Sequence, residues 1–230
     1  IRICLVGSEM CIRDSSITGT WDLGTTEMHD ERDVRIVLAS GSAVRAQMLR
    51  NAGISFSVDP PDVDESVVKE AGKAAGKSVA EVAEDLARAK AAAGVANNPG
   101  AMVIAADQML EFEGRWLDKP LNQAEGAARL REFSGKEHRL ITAVVLQQDG
   151  NVLLCRTDFA VLRARDLSDG FIAGYVSTMG DEICRSVGGY QLEGLGAQLF
   201  EHVDGDFFTI LGLSLLPLMA ALRENGALSA

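Results

Sequence analysis

Two side chains stand where the surrounding pattern calls for something else, and both could do chemistry. Asp107 closes the run Ala-Met-Val-Ile-Ala-Ala-Asp at 101–107, an apolar stretch with the character of a buried strand. A carboxylate there is costly to desolvate unless a cation, a metal or hydrogen bonds meet it. Ligand sites in α/β sheets also gather at the carboxyl ends of strands. An Asp that only turns the chain between two strands fits the same position. Lys90 is the possible counterpart. On a helix beginning near Val79, the stripe Val79, Val82, Ala83, Leu86 has Lys90 as its next member. It either reaches inward to a site or snorkels from the last turn, where the helix dipole favours a cation.

The stretch VLASGSAVRAQML, residues 37–49, brings three apolar residues into Ser40-Gly41-Ser42 and then starts a helical pattern bearing Arg45. A strand feeding such a turn presents backbone N–H groups and the positive end of a helix dipole, which suits phosphate. An ordinary Ser42 N-cap with a surface arginine reads equally from the same residues. No Walker P-loop, GxxxxGK[ST], occurs. A second acidic locus, Asp62-Val63-Asp64-Glu65, follows the rigid Pro60-Pro61 and reads as an acidic loop. Lys119-Pro120 precedes a helix cap, and SVGGYQLEGLG at 186–196 is glycine-rich enough for backbone to approach a ligand closely.

Positioning these groups requires alternating strands and helices. Residues 34–39 (VRIVLA) read as a buried strand and 43–51 as a helix with Gly53 past its end. A short strand at FSV leaves through the two prolines. Ser78 and Glu81 form the S-x-x-E signature of a capping box for a helix over 79–93, with Gly94 at its stop. AMVIAADQMLEF reads as a strand, a break near Asp107, and a second strand turning at Glu113-Gly114. A helix over 122–133 follows. HRLITAVVLQQ and NVLLCRTDFAVLRA then form a hairpin around Asp149-Gly150. A helix over 168–177, the strand AQLFEHV and a final helix complete the chain. The expected fold class is α/β, a mixed β-sheet flanked by helices with a nucleotide cleft.

Composition narrows the function. Of 230 residues, 47% are hydrophobic and 24% charged, ordinary for a globular protein, and the net charge is −11. That charge argues against coating nucleic acid, though not against a cleft where a few cations reverse the local field. No apolar run is long enough to span a membrane. Cys4, Cys11, Cys155 and Cys184 lack metal-ligand spacing and fit free thiols in a reducing compartment, the cytoplasm. Residues 1–33 lack periodicity and read as a leader outside the fold, leaving one domain over 34–226.

In order, LASGSxxR, PPDVDE, a helix ending in AKA, VIAADQ, DKP, FSGKEHRLITAV and GYQLEGLGAQLFEHVDGDFFTILGLSLLPL resemble the Maf family of nucleoside triphosphate pyrophosphatases across residues 34 to about 223. The resemblance implies a Maf/ITPase-like fold and a homodimer. It also implies cleavage of a nucleoside triphosphate to the monophosphate and diphosphate with a divalent metal, Mg²⁺ or Mn²⁺, removing modified nucleotides. Asp107 then matches the family's proton-accepting aspartate. Ser40, Ser42, Arg45, Lys90 and Lys119 match polar positions around the phosphates, and Glu65 joins Asp107 as a metal partner. Asp107 acts either as general base or as metal ligand. The chain departs from the common pattern in lacking S-P-R-R after Gly41, and in Gln108, Glu193 and Asp118. Val44, Gln108 and Glu193 fall at positions associated with base choice and look like the branch acting on 7-methyl-GTP. A Glu193 carboxylate could accept the paired N–H donors of guanine. A dTTP/UTP-type enzyme and a non-hydrolysing nucleotide-binding regulator of cell division are the alternatives.

Overall fold

The computed structural model describes residues 34–229, so the leader expected over 1–33 lies outside the described residues. β-Branched and small residues make a central sheet of seven strands in the order β2-β1-β3-β5-β6-β7, with β4 also pairing with β3. β1 (Ile36–Leu38) lies parallel to both β2 (Ser57–Val58) and β3 (Met102–Phe112). The other pairings are antiparallel. They join β3 to β4 (Arg115–Leu117) and β5 (Glu137–Gln148), β5 to β6 (Asn151–Ala164), and β6 to β7 (Phe200–Asp204). The sheet is mixed, as the strand pattern predicts.

The turns follow from chemistry legible in the sequence. Asp149 and Gly150 both take positive φ (46° and 85°) and close the β5–β6 hairpin, and Glu113-Gly114 does the same between β3 and β4. The Ser78–Glu81 capping box forms, and Ser42, Asn122 and Ser168 cap their helices. These helices are α1 (Ala43–Asn51), α3 (Val79–Asn97), α4 (Gln123–Phe133) and α5 (Asp169–Met179). After a turn at Gly212, the final segment forms α7 (Leu215–Glu224), preceded by the single turn α6 (Phe207–Ile210). Pro217 sits in the first turn of α7, where its missing N–H costs nothing. No helix among the described residues is long and apolar enough to cross a membrane.

Four expectations are corrected, the first being the strand AQLFEHV, which begins only at Phe200 because Leu195–Leu199 winds as a 3-10 turn. The acidic stretch is not wholly a loop, because Glu65–Ala74 forms α2. Asp64 caps it, its Oδ1 accepting from the Ser66 and Val67 amides at 3.0 and 3.4 Å. Gly94 does not stop α3, which runs on to Asn97. A β-carbon there would lie 2.8–2.9 Å from Val103 and Ala39, so the glycine lets α3 lie close against the sheet. Finally, there is no break at Asp107. β3 is continuous because β5 pairs with it from Val103 to Glu111.

The interruption belongs to the other edge of β3. β1 pairs with it only through Ile104, and β4 only from Leu110 onward. Residues 105–109 therefore face no strand on that side. Side chains alternate across a strand, so Asp107 shares the face of Val103, Ala105 and Met109, which pack on α3. Gln108 takes the opposite face, toward α6. The sheet thus opens where its sequence turns polar.

Candidate active site

The open edge of β3 is furnished from four directions. From α3, Lys90 places its ammonium 2.6 Å from Asp107 Oδ1 and 2.7 Å from Glu65 Oε1 at the start of α2. Lys90 continues the stripe of Leu86, as its spacing predicts, and its side chain is 14% exposed against 7% for Asp107. An ammonium held by two carboxylates meets the requirement that a buried charge be paired. Burial pushes the Glu65 carboxyl up, but Lys90, Lys69 and Lys119 outweigh it and hold the group below its ordinary value.

From α1, Arg45 spans the gap itself. Its guanidinium donates to Ala106 O at 2.9 Å, Ser40 Oγ at 3.0 Å and Gly212 O at 2.7 Å. Arg45 thereby ties an edge carbonyl of β3 to the strand-to-helix turn and to the α6–α7 turn. Burial pulls its pKa down, while Asp107 and Glu65 push it up. Ser40 is buried, and its hydroxyl accepts from both Arg45 and the Ser42 amide. Ser42 Oγ caps α1 by accepting from the Arg45 amide at 3.4 Å. Both serines line the cleft and serve the turn.

The third wall is the segment after β4. Lys119 is exposed at the cleft mouth and makes no ion pair among the described residues. Asp118 binds Lys69 of α2 at 2.6 Å. Arg129 of α4 donates to Asp118 O and, at 2.6 Å, to Val187 O, clipping this wall to the fourth. That fourth wall runs through a 3-10 turn (Gly180–Cys184) and the glycine-rich segment. Gly188 lies so near Tyr190 that a β-carbon would run into its ring. Tyr190 in turn bonds buried His138 at 2.7 Å, and burial holds that imidazole neutral, its pKa down to about 3.

The resulting cleft, about 430 Å³ in its inner part, brings together Ser42, Arg45, Glu65, Lys90, Asp107 and Lys119. An adjoining volume of about 600 Å³ adds Ser40 and Pro60-Pro61. A narrow slot of about 70 Å³ continues from it, and Val44, Gln108 and Glu193 all border that slot. Two details shape this slot. The Gln108 amide nitrogen is already engaged with Thr142 Oγ1 (3.0 Å), Thr209 O (3.1 Å) and Ile210 O (3.0 Å), which fixes α6 as a slot wall. Glu193 is exposed on the rim, not buried. Sequence reasoning missed Lys69, Arg129 and Arg185. Lys69 follows Glu65 by four residues and becomes visible once α2 is recognised; Arg129 lies on a predicted helix but breaks no apolar stripe, and Arg185 carries no periodic signal.

Fold and cleft define a class: a mixed-sheet α/β domain with paired carboxylates and several cations at an interrupted sheet edge. The chain belongs to the Maf-like protein family, whose model matches residues 35–225. A nucleoside triphosphate pyrophosphatase of Paramagnetospirillum magneticum is 50% identical to it over 192 residues, 84% of this chain and 99% of that one. A 7-methyl-GTP pyrophosphatase of Brucella suis is 46% identical, over 84% of this chain and 96% of that one. Another of that name, from Rhizobium etli, is 43% identical over 84% and 98%.

Proposed function

We propose that this chain hydrolyses a nucleoside triphosphate, 7-methyl-GTP foremost, to the monophosphate and diphosphate, and so keeps modified nucleotides from being incorporated. One observation carries the reading: Asp107, Glu65 and Lys90 converge at the open edge of β3, in the cleft whose continuation is bordered by positions 44, 108 and 193. Relatives bearing both pyrophosphatase names support it.

The residues divide the work as follows. Asp107 accepts the proton of the water that attacks the α-phosphorus, with its carboxylate oriented by Lys90. Lys90 and Lys119 offset charge on the phosphates, and the helix start at Ser42 adds oriented backbone N–H groups. Arg45 faces the same charge but first holds the walls in place. The slot receives the base, and Glu193 at its rim offers an acceptor to the paired donors on guanine. The positive ring of a 7-methylated guanine further favours that carboxylate.

A divalent cation fits the donor set. Asp107 and Glu65 already converge on one positive centre, the Lys90 ammonium, and Mg²⁺ typically takes one or two carboxylates with substrate oxygens. Mg²⁺ or Mn²⁺ held by these two carboxylates beside Lys90 would supply positive charge against the phosphate oxygens. A nucleotide substrate fits a cytoplasmic enzyme, a compartment in which free thiols such as Cys155 and Cys184 stay reduced. We take its assembly to be a homodimer, which a mass measurement in solution checks.

The test is phosphate release coupled to inorganic pyrophosphatase, over 7-methyl-GTP, GTP, dTTP and UTP with Mg²⁺ or Mn²⁺. Turnover with 7-methyl-GTP ahead is expected. Preference for dTTP or UTP would reassign the branch, and no diphosphate from any nucleotide would end the enzyme reading.

A further inference from the structure

We propose that Arg185 is a phosphate-binding cation, held ready by Glu182 and handed over to the substrate when a nucleotide enters. This rests on the cleft taking a nucleoside triphosphate. Arg185 borders the base slot and both parts of the phosphate cleft, so its side chain stands where the slot meets the phosphate sites.

The ion pairs of the cleft differ in how readily they break. Lys90 lies between two carboxylates with little exposure, and Arg45 is fixed by three acceptors. Lys69 is bound at 2.6 Å to Asp118. Among the described residues Arg185 has one ion pair, 3.1 Å to Glu182 Oε1, and its side chain is 69% exposed. Exposed pairs of that kind are weak, so a polyphosphate, with denser charge and more acceptor oxygens, outcompetes Glu182. A guanidinium also suits phosphate, which it can bind through two parallel N–H donors.

Glu182 has a second tie to the cleft. Its Oε2 accepts from Gln191 Nε2 at 3.3 Å, and Gln191 lines both the slot and the cleft. One carboxylate thus holds two cleft-lining side chains while no substrate is present. When Arg185 leaves, Glu182 keeps Gln191, so the handover need not disturb the glycine-rich segment.

The experiment compares wild type, Arg185→Ala, Arg185→Lys, Glu182→Gln and the double variant Glu182→Gln/Arg185→Ala. Two readouts apply: KM and kcat for 7-methyl-GTP with Mg²⁺, and calorimetric binding of inorganic tripolyphosphate with Mg²⁺. Arg185→Ala is expected to weaken tripolyphosphate binding and raise KM by roughly tenfold to a hundredfold, the range for a charged hydrogen bond. Arg185→Lys should recover part of that loss. Glu182→Gln frees the arginine and should tighten binding by roughly two- to fivefold, an effect absent in the double variant. Unchanged binding and KM in Arg185→Ala overturns the proposal. Weaker binding in Glu182→Gln overturns the role of Glu182 as placeholder. The tripolyphosphate arm separates failures: a wild type that binds it but turns over no nucleotide sinks the pyrophosphatase reading and leaves the arginine exchange to stand or fall on the binding data.

Discussion

Replacing Arg45 by Met keeps most of the buried stem and removes the guanidinium that bridges three segments. Its partners, Ala106 O, Ser40 Oγ and Gly212 O, lie at 2.9, 3.0 and 2.7 Å and come from β3, the turn before α1 and the turn before α7. At about 1 kcal/mol for each hydrogen bond lost, the change costs about 3 kcal/mol. Relief of the desolvation that lowers the Arg45 pKa returns part of this, leaving about 2–3 kcal/mol. For a domain of this size each kcal/mol is about 2–4 °C, so melting should fall by about 5–10 °C. Denaturant unfolding of wild type and variant, with melting by circular dichroism, measures it. Arg45→Lys, retaining the charge but not the fork, should lose most of the same stability, because no single ammonium reaches all three acceptors. A change in unfolding free energy below about 0.5 kcal/mol, the range of an ordinary surface substitution, would refute the bridging role and return Arg45 to the phosphates alone.

Other outcomes follow from the same geometry. His138 is held neutral by burial, with its pKa near 3 against 6.5 in the unfolded chain. The unfolded state therefore binds the extra proton first, and this contribution is full above pH 6.5 and lost as pH falls toward 3. The slope is up to roughly 1.4 kcal/mol per pH unit, and His138→Leu should flatten that part of the acid limb in urea titrations at pH 4–7. Parallel wild-type and variant slopes would contradict it. Glu193→Gln should cut the preference for guanine over pyrimidine triphosphates by about tenfold in kcat/KM; a full hundredfold is not expected, because the group is exposed on the rim. An unchanged ratio would remove Glu193 from base choice.

Much of this architecture was legible from local chemistry. Asp149-Gly150, the Ser78–Glu81 box and the Asn122 and Ser168 caps announce themselves because a few adjacent residues decide each. Lys90 also showed, since a cation on an apolar stripe breaks a pattern. What local reading missed were consequences of packing. Gly94 looked like a stop because its closeness to Val103 and Ala39 exists only once α3 meets the sheet. Asp107 looked like a break because the strand that keeps β3 continuous, β5, lies more than thirty residues downstream. The acidic run hid α2 because carboxylates near a Pro-Pro suggest loop, although Asp64 was a competent cap. For the site, residue types were readable but not their partners: Arg45 serves the walls, Arg129 sits on a recognisable helix whose pattern says nothing of its targets, and Arg185 comes from a segment with no periodic signature.

The most direct measurement is diphosphate release by Asp107→Asn at saturating 7-methyl-GTP, with melting recorded alongside. Lys90 keeps Glu65 as a partner at 2.7 Å, so the variant should fold with a similar melting temperature and lose on the order of 10²-fold or more in kcat. A folded Asp107→Asn protein that turns over near the wild-type rate would show that this carboxylate does not prepare the attacking water.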